Sequence, residues 1–225
     1  MQATKHRKSG TTTGANSFAG LHWLLPAVLL LLLSGCAART ITLNASYPTP
    51  LVVPLPLTIG VYYPEELREF SYTEIDDSTG KDQYIIAAGP SQVALFNTVL
   101  PVMFQKVVQL DSPTARDGVD AVFIPRVDEF QLGLPEKTRL SVYEVWMRYN
   151  MRLTRPNGDY IADWNMTAYG KSPSETFQSV DAGVQNAAEV AMRDLAATFS
   201  LSFSDFPDVK DWLQEQGRGQ QAGVQ

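Results

Sequence analysis

Histidine and cysteine are nearly missing from this 225-residue chain: it has two histidines, His6 and His22, and one cysteine, Cys36. A single cysteine excludes a disulfide within the chain. Beyond residue 36 there is neither imidazole nor thiol. Ser-His-Asp and Cys-His nucleophile systems need a base that titrates near neutrality, so that part of the chain cannot hold one. Zinc sites built from His and Cys are excluded on the same ground, and the expectation is no metal and no cofactor. Positive charge is also scarce, with 18 lysines and arginines against 24 acidic residues and a net charge of -6. Such a surface repels nucleic acid and anionic lipid unless a local basic patch intervenes, and none is visible in the sequence.

What the N-terminus does have is Leu33-Ser34-Gly35-Cys36, after about 13 largely apolar residues that start at Leu21. Lys5, Arg7 and Lys8 precede them, with no acid before Cys36. The run is shorter than the roughly 20 residues a spanning helix needs. It resembles a bacterial lipoprotein signal ending in a lipobox. The resemblance implies removal of residues 1–35, a diacylglycerol on the Cys36 thiol and an acylated new amino group, so that a lipid anchor ties the mature domain to a membrane. The competing reading is an ordinary anchor helix, or a conventional signal in which Cys36 is incidental. Ala37 and Ala38 follow where an aspartate would favour the inner membrane, so the expectation is the outer membrane, facing the periplasm. Losing the three basic residues takes the 18 cations to 15 against 24 acids, a net of -9.

The expected organisation is a stalk over 36–56 carrying Pro48, Pro50, Pro54 and Pro56, one domain over 57–216, and a glycine-rich disordered tail over 217–225. Leu57, Ile59, Val61 and Tyr63 alternate with small or polar residues, predicting a strand. A helix is expected from Pro90 to about Leu110, with Val93, Phe96, Leu100, Phe104 and Val107 as its apolar stripe and Pro101 as a kink. A strand at Ala121-Val-Phe-Ile meets Pro125, which suggests an edge or a bulge.

The hairpin from Leu140 to Lys171 is the best-determined element. A two-residue Asn157-Gly158 turn of type I′ pairs Pro156 with Asp159. That register sets Leu153, Met151, Tyr149 and Met147 against Ala162, Trp164, Met166 and Ala168. On the other face it sets Arg152 against Asp163, Glu144 against Lys171 and Trp146 against Tyr169. A slip of one residue would put apolar rows against polar ones. A second helix is expected from roughly Ser174 or Phe177 to Phe199, burying Val180, Val184, Ala187, Ala191, Leu195 and Thr198. A short one opens at Phe206-Pro207-Asp208 and docks through Val209, Trp212 and Leu213.

The order strand-helix-strand-strand-strand-helix predicts an α+β two-layer sandwich, a mainly antiparallel sheet of about four strands with two helices on one face. With the lipobox and the proline-rich stalk, this order resembles small periplasmic envelope lipoproteins, namely the curli-secretion lipoprotein type and the N-terminal domain of the Tol translocation protein. The resemblance implies a non-catalytic factor for assembly, secretion or transport, and it transfers no residue.

Candidate chemistry is sparse. Ser78 and Lys81 have Ser-x-x-Lys spacing but lie among turn formers. Asp76, Asp77 and Asp82 read as a solvated acidic turn rather than a calcium loop. Glu65-Glu66 and Asp128-Glu129 read as surface charge rather than the acid pair of a sugar hydrolase. The patch singled out is the polar hairpin face: Trp146, Arg148, Asn150, Arg152 and Tyr169, residue types that dominate protein-contact hot spots. The competing reading is a solvated or covered face whose aromatic pair only stabilises the hairpin. The expected function is non-enzymatic binding of envelope proteins, with a homo-oligomer among the possibilities. The alternatives are a lipid or hydrophobic-ligand carrier, which needs an open apolar cavity, and a histidine-free hydrolase.

Overall fold

The computed structural model describes residues 38–44, 49–75, 79–114, 118–176 and 179–222. Cys36, Asp76, Asp77 and Ser78 lie outside the described residues. Among the described residues, eight strands form two sheets. The larger has the order β5 (Phe104–Gln109), β2 (Leu55–Val61), β6 (Ala121–Gly133), β7 (Val142–Thr154) and β8 (Tyr160–Pro173). In it β2 runs parallel to β5 and β6, while β6, β7 and β8 are antiparallel. The smaller has the order β1 (Arg39–Thr42), β4 (Asp82–Ala87) and β3 (Ser71–Ile75). The helices are α1 (Glu65–Arg68), α2 (Gly89–Met103), α3 (Pro135–Thr138), α4 (Val180–Ser202) and α5 (Pro207–Ala222), with a 3-10 turn at Phe203–Asp205. The class is the expected α+β sandwich, with helices on one face of a sheet, and with more strands than the sequence suggests.

Helices α2 and α4 cover the face of the large sheet that carries Val145, Met147, Tyr149, Met151 and Leu153, all fully buried. Alternation along β7 produces this row, because successive side chains point to opposite faces. Phe96 of α2 sits at its centre, with ring centroids 5.6 Å from Phe123, 6.4 Å from Tyr149 and 6.1 Å from Phe199. Close approach of α4 depends on Gly170 of β8, where an added Cβ would stand 2.0 Å from the Ala187 carbonyl oxygen. The alanines of α4 and this glycine together let helix backbone meet strand backbone. Ser179 caps α4, its hydroxyl accepting the Ala182 N–H at 3.3 Å.

Helix α2 ends at Met103 rather than near Leu110, two residues after Pro101, and Phe104 and Val107 belong to strand β5. A proline has no N–H for the preceding turn, and here the chain leaves the helix within that turn instead of kinking. Pro125 sits on β6 just beyond the residues that pair with β2, Ala121 to Phe123, so its missing donor falls where β6 has lost that neighbour. The bulge in β6 lies at Asp128, between the pairs Val127–Tyr149 and Glu129–Arg148.

The β7–β8 register is as expected from Leu153–Ala162 to Glu144–Lys171. Its turn is not type I′. Arg155 N–H donates to the Asp159 carbonyl at 2.7 Å and Gly158 N–H to the Arg155 carbonyl at 2.9 Å. Pro156 has no N–H to close a two-residue loop, so Arg155 closes a three-residue one with Gly158 at φ 94°. This pairs Thr154 with Tyr160, one step out, and a bulge at Ile161 restores the step before Ala162.

Two boundaries move. β1 lies in the span read as stalk, bound parallel to β4, and Arg39 pairs with Asp181 at 2.9 Å. At the other end α5 continues through residues 217–222, so these form helix where a tail was expected. Val209 and Trp212 are buried, docking α5 as expected. The small sheet is tied in by Lys137, whose Nζ reaches Glu74 Oε1 and the Ile75 carbonyl, both at 2.6 Å.

Candidate functional site: the outer face of strands β6 to β8

The outer face of the large sheet is laid out in cross-strand rows. From one end they are Gly133–Glu144–Lys171, Gln131–Trp146–Tyr169, Glu129–Arg148–Thr167, Arg126–Asn150–Asn165 and Ile124–Arg152–Asp163. All five residues singled out in the sequence therefore share one face. It is open to solvent, with the Arg148 and Arg152 side chains 43% and 44% exposed and Tyr169 45% exposed.

The two ends of this face differ. At one, Trp146 and Tyr169 line an open hollow of about 550 Å³ with Gln131, Gly133, Thr138 and Glu144. Gly133 keeps the hollow free, since a Cβ there would stand 3.1 Å from Glu144 Cβ. Tyr169 donates its hydroxyl to Glu144 Oε1. That hydrogen bond, burial and the carboxylate charge together raise the Tyr169 phenol above its ordinary range. The aromatic pair thus presents ring faces and edges, with its polar tip already engaged.

At the other end the arginines are partly committed. Arg152 donates through Nε and Nη2 to Asp163 Oδ2 at 2.9 and 2.7 Å. Asn150 donates to the other oxygen, Oδ1. Between the two ends, Arg148 Nη2 stands 3.2 Å from Glu129 Oε2, which Gln131 supports from Oε1 at 2.7 Å. Exposed pairs of this kind contribute about 0–1 kcal/mol each and hold side chains in place more than they stabilise the fold. Chemically the face can offer apolar contact and arginine hydrogen bonds to a partner.

Sequence reasoning missed Arg126 and Gln131 and read Glu129 only as surface charge, not as a member of this face. Their places depend on the β6–β7 register, which the bulge at Asp128 shifts by one. Only a count that included that bulge would have found them. Among the described residues, no cluster of three or more His, Cys, Asp or Glu could hold a metal ion, and no helix is long and apolar enough to cross a membrane.

No family model and no curated protein sequence matches this chain. Among solved structures it is similar to a DUF330 protein from Xanthomonas campestris, at 14% identity over 84% of this chain and 100% of that one, with a TM-score of 0.47. It is also similar to a minor lipoprotein from Acinetobacter baumannii, at 11% identity over 66% and 92% of the two chains and a TM-score of 0.36. A lipoprotein from Neisseria meningitidis follows at 15% identity, 55% and 88% coverage and a TM-score of 0.28. No residue role is carried over from any of them.

Proposed function

We propose that this chain is a lipoprotein anchored through Cys36 in the outer membrane, facing the periplasm, and that it acts as a non-catalytic binding or accessory factor for envelope proteins. The observation that carries this reading is the open outer face of β6 to β8, where Trp146 and Tyr169 border a hollow and Arg148 and Arg152 stand beside them. Aromatic and arginine side chains held on a rigid sheet are the usual anchors of protein contacts. The carrier alternative needs space between sheet and helices, and that space is occupied by Phe96, Phe123, Tyr149 and Phe199, each at most 1% exposed.

The test is capture from mildly solubilised membranes with the full-length lipoprotein as bait, beside the double variant Trp146→Ala, Arg148→Ala. The expected result is an envelope protein retained by the wild type and lost by the variant, with equal folding and membrane fractionation. Equal capture by both would remove this face from the proposal. The anchor has its own test: Cys36→Ala should abolish incorporation of labelled palmitate and release the protein from the membrane fraction, and continued incorporation would refute it.

A further inference from the structure

The arginine end of the outer face continues into a groove of about 450 Å³ between β6, β7, the turn at Gly158 and the chain around Tyr62. Arg126 and Arg152 both line it. They are diagonal neighbours, because Arg126 pairs with Asn150 and Arg152 with Ile124. Like charges placed this way repel unless something neutralises them. Asp163 does so for Arg152 alone: one of its oxygens is taken by Asn150 and the other by Arg152. Arg126 has no ion pair among the described residues, and Arg152 keeps Nη1 without a partner there.

Three hydroxyl-bearing residues, Tyr62, Thr114 and Thr154, line the same groove. Thr154 is 7% exposed, and its Oγ1 is shielded with no hydrogen-bond partner. The groove thus offers the Arg126 guanidinium and Nη1 of Arg152, while Thr154 Oγ1 lies sealed beneath its surface. Against them stands one acidic lining residue, Glu66 of α1, exposed and bonded to neither arginine.

We propose that this groove binds an oxyanion, a carboxylate or a phosphate group, between Arg126 and Arg152. An arginine fork matches the spacing of two oxygens on such a group, and the charge assists each hydrogen bond. Glu66 opposes the anion across the groove and limits its affinity. The site shares Arg152 with the face of the partner reading, whereas Arg126 and the groove lie apart from the aromatic end at Trp146 and Tyr169.

The test follows arginine Nε–Hε resonances of the full-length chain in neutral detergent micelles, titrated with sodium phosphate or sodium acetate at constant ionic strength. Saturating shifts at Arg126 and Arg152, with Arg139 unmoved, are expected. Arg126→Gln should weaken binding about tenfold, the loss of one charged hydrogen-bonding partner, while Glu66→Gln should strengthen it. Tighter binding of phosphate or of acetate then assigns the group. Shifts that never saturate and appear equally at Arg139 would overturn the proposal. So would unchanged affinity in both variants.

Discussion

Tyr149 carries a hydroxyl into the middle of the apolar core, where it is fully buried and donates to Gln92 Oε1 at 2.6 Å. Gln92 is equally buried, with its Nε2 3.6 Å from Met147 Sδ. A buried amide oxygen that loses its donor keeps its desolvation cost, which exceeds the value of an average hydrogen bond. Tyr149→Phe should therefore lower stability by about 1–3 kcal/mol in urea denaturation. Adding Gln92→Leu should cost less than the sum of the single changes, because both partners then leave together. Full additivity would show that the two groups do not act as a pair. The same contact explains why the true face buries Gln92 beside Leu95, Phe96, Val99 and Leu100, so that the stripe holds at Phe96 and Leu100 and is off at Val93, which is only part-buried. A glutamine reads as solvent-facing until its partner, 57 positions away, is known.

At the scale of elements, the docking of α4 on β8 has a single critical point. Gly170 faces the backbone of Ala187 and Ala191, with a hypothetical Cβ 2.0 Å from one and 2.4 Å from the other. Neither atom can swing away as a side chain would, so Gly170→Ala must push the helix off the sheet. The expected cost is at the upper end of the roughly 1–3 kcal/mol of overpacked cores. Gly217 is the opposite case: it lies inside α5 with nothing within 4 Å of an added Cβ. Gly217→Ala should therefore raise stability by about 0.5–1 kcal/mol. Paired urea curves check both, and equal effects would refute the packing argument. The β7–β8 register could be read in advance because two long alternating rows had only one apolar match. Its turn could not, because Asn157-Gly158 signals type I′ while the missing N–H of Pro156 prevents that closure. The candidate face was legible to the same extent: residues on β7 and β8 were placed correctly, and those on β6 were hidden by the bulge at Asp128.

At the scale of the molecule, the small sheet escaped the sequence reading in part because its β1–β4 pairing is distant, although β3 and β4 pair locally, Ile75 lying opposite Asp82. β1 meets β4 across more than 40 residues, Arg39 lying opposite Tyr84, and no local pattern announces a parallel partner. The sheet is joined to the rest by the part-buried ion pair of Glu74 with Lys137 and by the ring contact of Tyr72 with Phe130, and two buried or part-buried phenols, Tyr63 and Tyr72, make the fold sensitive to alkali. Tyr63 lies in the core and donates to Asn97 Oδ1 at 2.8 Å, and burial raises its phenol well above the ordinary range. Burial also raises Tyr72, helped by its hydrogen bond to Glu74 Oε2 at 2.6 Å and by the charge of that carboxylate. Glu74 in turn holds Lys137 at 2.6 Å. A phenol whose pKa is higher in the folded state keeps its proton there while the unfolded chain gives it up near pH 10. The unfolded state then binds fewer protons, so stability falls as pH rises. The contribution is complete below about pH 10 and is lost above it, as pH climbs toward the raised values. Urea midpoints should therefore stay level between about pH 7 and 9 and fall above about pH 10. Lysines titrate in the same window, so the Tyr63→Phe variant supplies the contrast. It starts from lower stability, having lost the bond to Asn97, but should decline less steeply with pH. Parallel declines in the two proteins would assign the alkaline loss to the lysines instead.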